Sequence, residues 1–299
     1  MTRLLFRTRL PFALAAGAPA PRFATPGLMG APIAALIAAL VAGLFASSVA
    51  QAAPFEIAIM PSRFELSAKS GARLGQSLDI HNVGLAPTEV SVRTLDWGYS
   101  PEGEISYLDA LQPGSCRPWV LLERKTVKVP ARGKTSFRFQ IEPPADAPRG
   151  ECRFMLAIEG VEPAYRAAIG QGGASLSLPV TGRIAVAVYV LLNGAEPKLT
   201  LSQVGTRDVR GQRTPYVTVS NTGDAHGRLD GSLDATDAAG ARFEMVPEGT
   251  PVLPGQTRLI PLSPKAASDG KAPAPVYPLK AAGTLDWEKG GFKVNAEFR

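Results

Sequence analysis

Histidine and cysteine are scarce: the 299 residues hold two of each. His81 stands beside the turn residue Asn82 and His226 beside Gly227, so both imidazoles are expected to be solvated. They form no nucleophile–base–acid set, and with two thiols they offer too few ligands for a metal centre. A G-x-S-x-G elbow, a P-loop and an H-E-x-x-H pair are all missing. Asp96 and Asp286 each close a Thr-Leu-Asp-Trp tetrapeptide, but they belong to different parts of the chain, which is poor ground for acid–base catalysis. The expectation is a protein without catalytic residues, cofactor or metal. These absences speak against a secreted hydrolase on a sandwich scaffold.

A strong charge of one sign is lacking as well. The formal net charge is +6. Arg3, Arg7, Arg9 and Arg22 supply four of those charges, and the first 52 residues hold no acid, so the remainder carries 6 − 4 = +2. No electrostatic case for nucleic acid survives. Long apolar runs are also few. The one from Ile33 to Phe45 has 13 residues, short for a bilayer core. It follows the arginines and precedes Ala50-Gln51-Ala52, an A-x-A signal-peptidase pattern. The reading is a secretory signal over 1–52, with an uncleaved anchor as the alternative. The mature chain is expected to begin near Ala53 and to keep no stable membrane span.

In a secreted chain the pair Cys116 and Cys152 suggests a disulfide. Helix-period patterns are nearly absent. What the chain does have is short alternating strands punctuated by Gly, Pro and Asn. Ser77-Leu-Asp-Ile-His-Asn-Val-Gly84 reads as a strand ending in an Asn-x-Gly turn, and Glu89 to Trp97 as the returning strand. Tyr216-Val-Thr-Val-Ser-Asn-Thr-Gly223 and Gly231 to Asp237 repeat that order. Val127 to Phe139 and Pro251 to Ile260 then share a strand–Pro-x-Gly-type turn–strand pattern. A series met twice predicts an all-β fold of two antiparallel, immunoglobulin-like sandwiches in tandem. The boundary falls between Leu192 and Pro197, at the Asn193-Gly194 turn. The domains are therefore 53–192 and 193–299, joined rigidly by a short linker. The Ala/Pro/Lys-rich stretch between Ser263 and Pro278 reads as a mobile surface loop.

One run has nothing obvious to pair with. Ser175 to Val190 opens in strict alternation, with Leu176, Leu178 and Val180 on one face and Ser175, Ser177, Pro179 and Thr181 on the other. A loose Gly/Ala stretch, Ala167 to Ala174, precedes it. Pro179 marks an edge strand or bulge. Two readings stay open: an ordinary strand whose apolar face fills its own core, or an edge strand donated to another chain by β-augmentation.

These features together resemble the periplasmic pilus-assembly chaperones of the chaperone–usher pathway. Ile57-Ala-Ile-Met-Pro-Ser-Arg-Phe-Glu-Leu66 resembles the family's opening strand, and Leu78-Asp-Ile-His-Asn82 its second. Arg153-Phe-Met-Leu-Ala-Ile158 resembles the strand before its long loop, and Leu176 to Ile184 its donor strand. The second domain matches in outline only. The resemblance implies a non-enzymatic protein that lends Leu176, Leu178 and Val180 to a subunit's open groove. Its partners would be pilus or fimbrial subunits and an outer-membrane usher, and its place the periplasm. It also implies a cationic anchor for the subunit's terminal carboxylate. Arg63 matches the family's first-strand arginine, but the family's donor-strand lysine falls on Ala185. Arg183, two residues away on the same face, is the candidate replacement. The family's Tyr-Arg-Pro ending falls on Val188-Tyr189-Val190, so its domain-locking arginine is missing too. The runner-up is a secreted immunoglobulin-like structural or adhesive protein that keeps the strand for its own fold.

Overall fold

A computed structural model describes residues 55–299, apart from 162–164, 172–173, 181, 210 and 269. The expected signal over 1–52 lies outside the described residues. Among those described, no helix is long and apolar enough to cross a membrane.

The first half of the chain forms β1 (Ile57–Met60), β2 (Arg63–Ala68), β3 (Leu74–Asn82), β4 (Thr88–Tyr99), β5 (Ile105–Leu108) and β6 (Val120–Leu122). It continues with β7 (Thr126–Val129), β8 (Lys134–Ile141), β9 (Gly150–Gly160), β10 (Tyr165–Gln171), β11 (Ala174–Val180) and β12 (Arg183–Leu192). The second half forms β13 (Leu199–Val209), β14 (Gln212–Asn221), β15 (Asp230–Thr236), β16 (Arg242–Pro247), β17 (Thr257–Pro264), β18 (Leu279–Trp287) and β19 (Gly290–Phe298).

Alternation decides the layers. In β3 Leu78 and Ile80 point inward, and in β8 Phe137, Phe139 and Ile141 do so. These strands belong to a sheet of order β1-β3-β8-β6. The facing sheet has the order β2-β12-β9-β4-β5, with β7 on β4. That is the two-layer strand arrangement of an immunoglobulin-like sandwich. β2 runs parallel to β12, which moves the chain from one layer to the other directly after β1. The core between the layers holds Leu78, Ile80, Phe137, Phe154, Leu156, Ile158, Val186, Val188 and Val190. Each such side chain contributes about 1.5–3 kcal/mol.

β9 is buried on both faces. Phe154, Leu156 and Ile158 fill the first core. Met155 and Ala157 face the other way, onto a second apolar cluster with Leu95, Trp97, Tyr189 and, from the second half of the chain, Leu253. This cluster joins the outer face of the first sandwich to the second.

The second sandwich is one continuous sheet, β13-β14-β17-β16-β15-β18-β19. β16 makes it continuous by crossing between layers. Its start pairs with β15 and its end with β17. Val217, Val219, Ile260 and Leu262 from one layer pack on Leu233, Ala235, Leu279, Leu285, Val294 and Phe298 from the other.

The repeated turn is as regular as its sequence. Asn82 Oδ1 accepts Gly84 N–H at 2.9 Å, and its Nδ2 donates to Ala86 and Val129 carbonyls. Asn221 Oδ1 accepts Gly223 N–H at 2.9 Å, and its Nδ2 donates to Ala225 and Val252 carbonyls. One later echo is incomplete: Val252 makes only an isolated bridge to Gly227, so a full strand precedes the Pro-x-Gly-type turn only in the first sandwich. At the expected boundary Asn193 and Gly194 take φ of 55° and 75°, a turn that Asn and Gly enter most easily.

Candidate functional site

The run from Ser175 to Val190 is two strands, which corrects its reading as one. β11 ends at Val180 and β12 begins at Arg183. β12 lies inside the first sandwich between β2 and β9. β11 does not. It pairs only with β10, in a two-stranded ribbon separate from both sandwiches among the described residues. Leu176 lies opposite Ile169, Leu178 opposite Ala167 and Val180 opposite Tyr165. The loose stretch from Ala167 is therefore largely a strand, and β11 has one partner instead of none. Sequence reasoning missed β10 because Tyr165-Arg-Ala-Ala-Ile-Gly-Gln171 has no alternation and is rich in residues that strands disfavour. Its pairing with β11 determines its conformation.

Cys116 and Cys152 form a disulfide, with Cα atoms 5.8 Å apart. It ties the entry to the turn Arg117–Trp119 onto β9. Closing a loop of this size stabilises by about 3–4 kcal/mol in the chain-entropy model.

The two candidate anchor arginines lie on one face but are not brought together. Arg63 opens β2 opposite Ala187. Its side chain is 53% exposed and its Nε lies 2.9 Å from Glu65 Oε1. Arg183 stands four residues before Ala187 on β12, about 13 Å along the strand. It pairs with Glu159 directly opposite. Glu159 also accepts two bonds from Arg93, whose other partner is Asp109. The Arg93 guanidinium holds the carboxyls of both Glu159 and Asp109 below the usual carboxylate range. Arg183 is thus engaged in a local charge network.

Between the sandwiches lies a polar seam that sequence reasoning did not find. Glu151, with a fully buried side chain, accepts the backbone N–H of His226 at 2.6 Å and contacts His226 Nδ1 at the same distance. The other ring nitrogen lies 3.8 Å from Glu65. The imidazole stacks on Tyr189, 4.0 Å between centroids. His226 is 8% exposed, so the expectation of a solvated histidine is corrected. Arg228 donates to the Tyr189 hydroxyl at 3.2 Å, and its Nε lies 3.4 Å from Glu65. Glu65 Oε1 therefore faces Arg63, Arg228 and His226 together. Farther along, Arg258 is 1% exposed beneath the Tyr99 ring, 4.5 Å from its centroid. It donates to Thr250 and to the Pro251 carbonyl. Burial lowers the Arg258 pKa, raises that of Tyr99, and pushes the Tyr189 phenol up to about 12. The only sequence signal here was Tyr189, which stands where the resemblance set out above implies a locking arginine.

The chemistry available is therefore a strand edge unpaired among the described residues, a half-exposed Arg63 and a polar seam. Among the described residues no cluster of three or more His, Cys, Asp or Glu could hold a metal ion.

No family model and no curated protein matches the sequence. Among solved structures the chain is similar to the YadV chaperone, at 15% identity, covering 81% of this chain and 100% of that one with a TM-score of 0.44. It is also similar to the CupB2 chaperone of Pseudomonas aeruginosa, at 12% identity, 81% and 100% coverage and a TM-score of 0.43. A third similar structure is the CsuC–CsuE chaperone–tip adhesion subunit pre-assembly complex of Acinetobacter baumannii, at 13% identity, 81% and 97% coverage and a TM-score of 0.40.

Proposed function

We propose that this chain is a periplasmic chaperone of the chaperone–usher pathway. It binds fimbrial subunits by donor-strand complementation, stabilises them and delivers them to an outer-membrane usher. The observation that carries this reading is the position of β11, which belongs to neither sandwich and has one edge unpaired among the described residues. An alternating strand with an open edge is an aggregation hazard unless something covers it. Adding it to the sheet of another chain satisfies its backbone, and pockets for alternate side chains supply specificity. Leu176, Leu178 and Val180 are the residues that would enter a subunit groove. Arg63, half-exposed on β2, is the candidate anchor for the subunit's terminal carboxylate, and Arg183 joins it only if its pair with Glu159 opens. The two working domains are 53–192 and 193–299, and the segment over 1–52 directs export.

Leu178→Glu tests the reading. In a subunit groove a buried, unpaired carboxylate costs several kcal/mol, so co-expressed subunit should no longer co-purify. If Leu178 serves a partner and not this chain's own fold, the free protein should keep its melting temperature within about 2 °C. The rival, an immunoglobulin-like structural or adhesive protein that keeps β11 for its own fold, expects the lone variant to lose about 3 kcal/mol or more. That loss would sink the proposal.

A further inference from the structure

We propose that Phe55 is a positioning residue that sets the direction in which the β10–β11 ribbon leaves the first sandwich. The functional consequence of this rests on the chaperone reading. The ladder between β9 and β12 ends at the pair Glu159–Arg183, and the ribbon starts at the pair Tyr165–Val180. Five residues, 160–164, thus stand against two, 181–182. With three extra residues on one side the ladder cannot run through in one register, and β10–β11 form a two-stranded sheet of their own. Beyond the last pairs each ladder of β9 runs one bond further: Gly160 N–H donates to the Gly182 carbonyl at 3.3 Å on the β12 side, and Val161 N–H to the Glu89 carbonyl at 3.1 Å on the β4 side.

A two-stranded hairpin has little stability or orientation of its own. Its direction depends on what grips its base. Phe55 does so from outside the ladder. It stands two residues before β1, packs half-buried against the first core, and lays its ring on Gly182. A Cβ added at Gly182 would overlap Cβ, Cγ and Cδ1 of Phe55. Close approach, with no positive φ involved, is what requires glycine there. The contact couples the strand that opens one layer to the point where the ribbon leaves the other. A ribbon pinned this way presents the β11 edge pre-ordered and spares the partner part of the ordering cost.

Hydrogen–deuterium exchange of the free protein, read by mass spectrometry on peptides spanning 165–180, tests the inference. Phe55→Ala removes the ring, and Gly182→Ala pushes it off from the opposite side. In both variants the ribbon amides should exchange about tenfold faster, while β8 and β12 amides stay within about twofold of the parent. Three results would overturn the inference: unchanged ribbon exchange in either variant, acceleration shared by β8 and β12, or parent ribbon amides exchanging as fast as unstructured chain. No subunit is present in this experiment, so failure of the subunit-binding reading leaves its outcome intact.

Discussion

Tyr189 sits where the two sandwiches meet, and its burial has a consequence in pH. The side chain is 1% exposed, lies between His226 and Arg228, and accepts a hydrogen bond from the latter. Burial disfavours the phenolate and pushes the phenol up to about 12, against about 10 in an unfolded chain. Between those values the folded protein binds a proton that the unfolded chain has lost. The contribution is therefore fully present below about pH 10 and is lost as pH rises toward about 12, on the order of 2 kcal/mol in all. Urea unfolding at pH 9 and at pH 11.5 should show a steeper alkaline loss in the parent than in Tyr189→Phe. Equal losses would mean that Tyr189 ionises as freely folded as unfolded. Arg63 makes the opposite kind of claim. Its pair with Glu65 is exposed on both sides, and such pairs contribute about 0–1 kcal/mol. Arg63→Ala should therefore leave the melting temperature nearly unchanged and lower the yield of co-purified subunit. Undiminished yield would reduce Arg63 to a solvated strand residue.

Among the elements, those with strict alternation were legible in the sequence. β3 and β8 put their odd or even residues into the core as the pattern dictates, and the two Asn-x-Gly turns proved equivalent down to their bonding partners. β10 was not legible, because its partner and not its own composition makes it a strand. The crossing of β16 was not legible either, since a six-residue strand gives no sign that its two ends pair with different neighbours. Side-chain roles followed the same division. The disulfide followed from the count and context of the cysteines. Commitment of Arg183 to Glu159, and of His226 to Glu151, depends on neighbours that only the fold assembles. Intact-mass analysis of denatured, unreduced protein with an alkylating reagent should add no label, and the mass should correspond to a chain starting near Ala53. Two labels would remove the disulfide between Cys116 and Cys152.

At the scale of the whole molecule, 52–299 form one compact unit with two large cores and a smaller apolar cluster that joins them. Polar groups at this junction are incompletely matched. Trp97 Nε1, Glu151 Oε1, Gln256 Oε1 and two nitrogens of Arg258 are buried without a hydrogen-bond partner among the described residues. Such groups cost more than paired ones. The proposed subunit binding needs none of these groups. It depends first on the β11 edge, unpaired among the described residues, which makes that edge the place to measure. Hydrogen exchange across 174–180, with and without a bound fimbrial subunit, reads the edge directly. The account predicts that β11 amides pointing away from β10 are unprotected in the free protein and become strongly protected in the complex. A complex that forms while those amides exchange as before would contradict it.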